Sequence, residues 1–167
     1  MAFTRYRTVH SPIGALTLAG DGEYLTNLVL ENVAYPPADR GNWVRDAGAF
    51  TDAAEQLQGY FAGERTAFQL AVRPVGSAFQ RLVWDALREI PYGETRSYGE
   101  IARMVGRPSA ARAVGLANGR NQIPVIFACH RVIGADGALT GYAGGLQTKR
   151  ALLDLERAVS QRRRGYG

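Results

Sequence analysis

The chain has 167 residues, a formal net charge of +5 and a single cysteine, which allows one sizeable hydrophobic core or two small ones sharing an interface and excludes an internal disulfide. No run of about 18 apolar residues is present and the opening MAFTRYRTVHSPIG has no signal-peptide apolar region, so neither membrane insertion nor secretion is expected and the reading is cytoplasmic. Charge is unevenly placed: residues 1–75 hold 6 Lys and Arg against 8 Asp and Glu, whereas residues 76–167 hold 14 against 7, making the second half either a phosphate-facing surface or a solvated basic face.

Two alternating apolar stretches flank Asp21-Gly22 within ALTLAGDGEYLTNLVLE (15–31), which predicts a β-hairpin. Residues 33–48, with Pro36, Pro37 and Gly41, read as a loop. Phe50, Ala53, Ala54, Leu57, Tyr60 and Phe61 then recur at helical spacing until Gly63 ends the pattern, and a strand is expected at 67–72. From Ser77 the periodicity is mainly helical. Phe79, Leu82, Val83, Ala86, Leu87 and Ile90 share one apolar face, Trp84 adds bulk near it, and Pro91-Tyr92-Gly93 breaks the helix.

Ser97 and Glu100 have the spacing of a capping box, in which hydroxyl and carboxylate satisfy the orphan amides at a helix start. That helix should reach Val105, stop at Gly106, turn through Arg107-Pro108 and be followed by a second helix from a Ser109 cap through Ala117. Two short helices around a tight turn read as a helix-turn-helix. The second one, SAARAVGLANG (109–119), presents small residues around one long side chain, Arg112, which suits close approach to a minor groove without sequence readout. An alanine-rich core helix has the same composition.

Cys129 lies in IFACHRVIG (126–134), with His130 and Arg131 beside it. A free thiol titrates near pH 8.5, and neighbouring positive charge would raise its thiolate fraction, so the run reads as a nucleophile; a small buried hydrophobe is the alternative. His10 and His130 are the only histidines, so no common tetrahedral zinc set can be assembled and no metal is expected. No glycine-rich phosphate loop or nucleotide signature is present, and no cofactor is expected.

Taken together, SYGEIA (97–102), ARAVG (111–115), Asn121, CHRV (129–132), GYAGG (141–145) and KRALLDLE (149–156) resemble the O6-alkylguanine-DNA alkyltransferases, over Phe79 to Glu156. The departure is Ala128, where the family has proline. This resemblance implies an α+β protein: a small sheet-plus-helix domain over about 1–75, then a mainly helical, winged helix-turn-helix-like domain over 76–160 that carries the thiol. Residues 161–167, QRRRGYG, are expected to be a disordered tail.

The implied activity is DNA repair by irreversible, stoichiometric transfer of an alkyl group from O6-alkylguanine, and also O4-alkylthymine, in duplex DNA to Cys129. By the same resemblance His130 takes the thiol proton through a water, Glu156 orients the imidazole, and Asn121 ties the turn after the second helix to the active-site loop. The amide of Ala143 faces the guanine oxygen with Gly144 also at the substrate, the carbonyls of Cys129 and Val132 accept from the exocyclic amine, Tyr98 meets a ring nitrogen and helps rotate the nucleotide out of the DNA, and Tyr142 lines the pocket. Arg112 fills the stack left by the extruded base, with Ala111 and Gly115 on the groove-facing helix. Asn118 stands where some relatives carry an apolar residue over the base. Minor-groove, sequence-independent binding by a monomer, with cooperative assembly on DNA left open, completes the expectation, along with action at the bacterial nucleoid. A lesion sensor that binds without transfer and a cysteine hydrolase are the rivals.

Overall fold

In the computed structural model, which describes residues 3–34 and 36–165, the chain opens with a four-stranded sheet of order β3-β2-β1-β4: β1 (Arg5–Ser11), β2 (Gly14–Gly20), β3 (Leu25–Leu30) and β4 (Val44–Arg45). The hairpin at Asp21-Gly22 is β2–β3, in register Leu16↔Leu30 and Leu18↔Leu28. Alternation then sorts the side chains: the four leucines join the main core, while Ala19 and Val29 pack with Trp43 on the opposite face. The loop over 33–48 therefore covers the second face of the sheet. Strand β1 had no clear alternating pattern; it pairs antiparallel with all of β2, through a turn in which the Ser11 hydroxyl donates to the Gly14 carbonyl at 2.7 Å.

The strand expected at 67–72 is reduced to one parallel bridge, Leu25↔Val72. Leu25 exchanges bonds with Ala71 and Arg73, both at 2.9 Å, but three residues on the Leu28 amide donates to Gln122 at 2.8 Å. The second half of the chain thus occupies the edge that a longer strand would need.

Helix α1 (Thr51–Phe61) lays Ala53, Leu57 and Tyr60 on the sheet. Helix α2 (Ala78–Leu87) starts with a full Ser77/Gln80 capping box and buries Val83, Trp84, Ala86 and Leu87. Ser97 and Glu100 form the expected capping box of α3 (Tyr98–Met104). For α4 (Ala111–Gly119) the expected Ser109 cap is not made: the N-cap is Ala110 and no side chain caps it. The turn consumes one residue more than the sequence pattern suggests, and Ser109 falls outside the first turn. The last helix, α5 (Leu146–Gly165), runs through residues 161–165, so this part of the expected tail is helical; residues 166 and 167 lie outside the described residues. Arg163 reaches the Glu64 carbonyl just past α1 at 3.3 Å, and three arginines at a helix C-terminus complement its dipole.

Burial is continuous from Leu16 and Leu57 through Trp84 and Ile101 to Phe127 and Leu152. Each such large apolar side chain contributes about 1.5–3 kcal/mol by leaving water. A short parallel pair, β5 (Arg96–Ser97) with β6 (Val132–Ile133), sets the start of α3 beside the segment that follows Cys129. No helix among the described residues is long and apolar enough to cross a membrane.

Candidate active site

Cys129 begins a single 3-10 turn, Cys129–Arg131, at the end of the loop leaving α4. Asn121 shapes that loop from both ends of its amide, donating to the Phe127 carbonyl at 2.8 Å and accepting from the Ile123 amide at 3.0 Å. Within it Val125 is held at φ 73, a conformation a β-branched residue adopts only under constraint from its surroundings. The two Asn121 bonds join the turn after α4 to the loop that carries the cysteine.

The thiol is buried, and burial raises its pKa above the ordinary value; the polar side chains of Asn121 and Tyr142 and the charge of Lys149 pull the other way without cancelling it. This corrects the expectation that His130 and Arg131 would favour thiolate. Burial lowers the His130 pKa, against the opposing pull of Glu156, so its imidazole is neutral at neutral pH. The Arg131 charge is taken up by Glu156, to which it donates from Nε at 2.8 Å and from a terminal nitrogen at 3.0 Å.

Glu156, on α5, is the hub of a buried cluster. Besides Arg131 it receives the Tyr60 hydroxyl at 2.6 Å, lies 2.6 Å from His130 Nε2, and accepts the Gly93 amide at 3.2 Å. Burial alone would raise its pKa, yet the bonds from His130 and Arg131 hold the carboxyl far below the usual range. Gly93 permits that contact: it has φ +81, and a Cβ there would collide with Ser160. A carboxylate bonded to Nε2 places the neutral ring's proton there and leaves Nδ1 as an acceptor, which has no protein partner among the described residues.

A cleft of about 300 Å³ opens beside the thiol, lined by Cys129, Asn118, Asn121, Tyr142, Ala143 and Gly144, and on the sheet side by Leu30 and Val33. The Ala34 amide donates to the Ala143 carbonyl at 2.8 Å, so the first half of the chain holds the glycine loop in place. Gly144 is needed for that approach, because a Cβ would strike Leu30 Cδ1. The Tyr142 hydroxyl is buried and has no hydrogen-bond partner among the described residues, and the residue lines the cleft together with Cys129. Tyr98 and Val132 do not line this cleft. The Val132 carbonyl accepts from buried Lys149 at 2.6 Å, Lys149 also donates to Thr140 at 2.8 Å, and the Tyr98 hydroxyl accepts from the Thr140 hydroxyl at 3.1 Å.

On α4 the outward face carries Arg112, Ala113 and Leu116, with Arg120 exposed just past its end, while Ala111 and Gly115 are half-buried, Gly115 against the Tyr98 ring. Leu116 is 71% exposed, an apolar side chain on the face the sequence reading treated as bare apart from Arg112. Tyr60, Gly93 and Lys149 were not expected at the site, and Arg131 was expected to act on the thiol rather than on Glu156. Arg131 and Lys149 sit inside the CHRV and KRALLDLE motifs, whereas Tyr60 looked like one more apolar position on α1.

Two family models cover nearly all of this architecture: the 6-O-methylguanine DNA methyltransferase ribonuclease-like domain over residues 4–74 and the DNA binding domain of the same family over residues 78–158. The chain belongs to the 6-O-methylguanine DNA methyltransferase family. It is 60% identical over 153 residues to the methylated-DNA–protein-cysteine methyltransferase of Mycobacterium tuberculosis, covering 92% of each chain. To the protein of the same description from Methanosarcina acetivorans it is 52% identical over 151 residues, 90% of this chain and 97% of the relative. Among solved structures, the Mycobacterium tuberculosis OGT in complex with DNA matches with a TM-score of 0.88 at 57% identity, over 93% of this chain and 94% of that one.

Proposed function

We propose that Cys129 is the acceptor in DNA repair by alkyl transfer from O6-alkylguanine, the activity that goes with the family. The observation that carries this is the placement of the one thiol of the sequence at the wall of the cleft between α4 and the Tyr142–Gly145 loop. Sulfur attacks the alkyl carbon, an S–C bond forms, and the C–O bond breaks with its electron pair passing to guanine. The proton lost by the thiol balances the one gained at N1 of the restored guanine, which stays in the DNA.

His130 is suited to move that proton through a water, because its Nδ1 is an available acceptor and Glu156 would stabilise the cation formed at the ring. Tyr142 is placed to donate to the developing thiolate. The Ala143 amide, which donates to no backbone carbonyl among the described residues, is free for the leaving guanine oxygen. Because sulfur ends as a thioether, nothing in the cleft regenerates it and each molecule acts once.

The α4 face supports binding in the minor groove without sequence readout, with Arg112 replacing a base that must leave the stack; extrusion of a paired base costs a few kcal/mol. The expected site of action is the nucleoid, and the reading is of a monomer. A lesion sensor would need no thiol, and the retained Cys129 weighs against it. Peptide mapping by mass spectrometry after incubation with an O6-methylguanine duplex tests the reading: one methyl on Cys129 is expected, and methylation elsewhere or none overturns it.

A further inference from the structure

Asn118 ends the buried face of α4 and is 3% exposed. Its Nδ2 donates to the carbonyl of Cys129 at 3.3 Å, which fixes the orientation of the amide, since a carbonyl oxygen turned toward that carbonyl would repel it. Its Oδ1 is buried and has no partner among the described residues, yet the residue lines the cleft beside the thiol. A buried acceptor without a donor costs about 1–3 kcal/mol and is rarely kept without a use.

Three nearby donors are committed elsewhere, and the Tyr142 hydroxyl, which lines the same cleft, makes no bond to Oδ1. Trp84 Nε1 donates to Ala117 at 2.9 Å, the Asn121 amide to Phe127 at 2.8 Å, and Lys149 to Val132 and Thr140. Oδ1 is thus open to a donor carried by what enters the cleft. An O6-alkylated guanine has lost the proton on N1, so the only N–H donor on its pairing edge is the exocyclic 2-amino group. O4-alkylthymine offers none there.

We propose that Asn118 is a specificity-determining residue whose Oδ1 accepts a hydrogen bond from the 2-amino group of the alkylated guanine. The amine has two N–H bonds, and Asn118 sets its Oδ1 next to the Cys129 carbonyl, so the pair forms a two-acceptor edge beside the nucleophile. Guanine lesions are thereby favoured over lesions lacking that amine. The inference rests on the alkyl-transfer reading above.

Single-turnover rates with duplexes bearing O6-methylguanine or O6-methylhypoxanthine, which differs only in lacking the amine, test it in the wild type and in Asn118→Leu. Loss of the Nδ2 bond to Cys129 slows both substrates alike, so the ratio of rates isolates Oδ1. The wild type should prefer the guanine lesion by about tenfold or more, and Asn118→Leu should shrink that preference by about tenfold, the effect of one buried hydrogen bond. An unchanged ratio overturns the proposal and shows that Oδ1 meets only water. Asn118→Met, of similar volume, replaces the leucine variant if that one does not fold; independently of both, a wild-type preference below about threefold also overturns it. Failure of the wild type to methylate Cys129 from either duplex would instead contradict the alkyl-transfer reading.

Discussion

The Tyr60 hydroxyl donates to Oε2 of Glu156 at 2.6 Å across 96 residues of sequence, tying the helix packed on the sheet to the helix that supports the thiol. Both side chains are essentially removed from water, Tyr60 at 0% and Glu156 at 1% exposure. Tyr60→Phe removes this bond while keeping the ring. Since a hydrogen bond to a charged group contributes about 1.5–3 kcal/mol, urea unfolding should show a loss in that range, with transfer still proceeding because His130 and Arg131 continue to hold the carboxylate. A loss below about 0.5 kcal/mol would mean that Glu156 relaxes onto its other partners.

Acid should unfold the protein in two stages. Burial depresses the His130 pKa, so below about pH 6.5 the unfolded chain binds a proton that the folded one refuses, and stability falls as pH falls. Glu156, despite its burial, is held far below its ordinary value by His130 and Arg131; its contribution is complete above about pH 4.3 and is lost on further acidification. Denaturant midpoints at pH 8, about 5.5 and about 4 should therefore decline in that order. A rise in stability on acidification would contradict the cluster.

The hairpin and the Ser97/Glu100 box were legible because each is set by residues within a few positions: a turn pair between alternating strands, a hydroxyl three residues before a carboxylate. Glu156 could be assigned only through resemblance, since nothing local distinguishes it from a solvated helix carboxylate. Tyr60, Gly93 and Arg131, which keep it charged and buried, converge from three separate elements. The same non-locality explains the strand at 67–72: its residues have the propensity, but the partner edge is occupied at Leu28 by Gln122. At Cys129 the neighbouring charges do not favour thiolate, because sequence proximity does not fix where a charge is directed. Arg131 lies next but one to the thiol in sequence and spends its charge on Glu156.

Thiol reactivity provides another check. Modification of Cys129 by a small alkylating reagent should follow a titration with its midpoint above about 8.5, because burial raises the thiol pKa. Tyr142→Phe removes a donor to the thiolate and should move the midpoint higher still. A midpoint below about 7.5 would show that the thiolate is stabilised in the resting protein.

Ala128 stands where the family has proline, and its φ of −76 is one that proline adopts. Its amide donates to no backbone carbonyl among the described residues, and Phe127 before it forms a β-bridge, compatible with a following proline. Ala128→Pro should therefore stabilise the protein by about 0.4–1 kcal/mol by restricting the unfolded chain, without loss of transfer rate. Destabilisation would mean that the loop around Val125 needs the freedom alanine allows.

Arg112 is exposed on the face of α4 assigned to DNA. Arg112→Ala should slow transfer from duplex far more than transfer from the free modified base, since only the duplex requires extrusion. Measured single-turnover rates that fall equally on both substrates would remove Arg112 from that role.

The central claim, that the protein consumes its own cysteine, is tested most directly by titrating it with an excess of O6-methylguanine duplex while following both the repaired guanine and the intact-protein mass. Repair should stop at one guanine per protein molecule, with one methyl added to each chain and none added to Cys129→Ala. Repair that continues beyond one equivalent with the protein mass unchanged would contradict the claim.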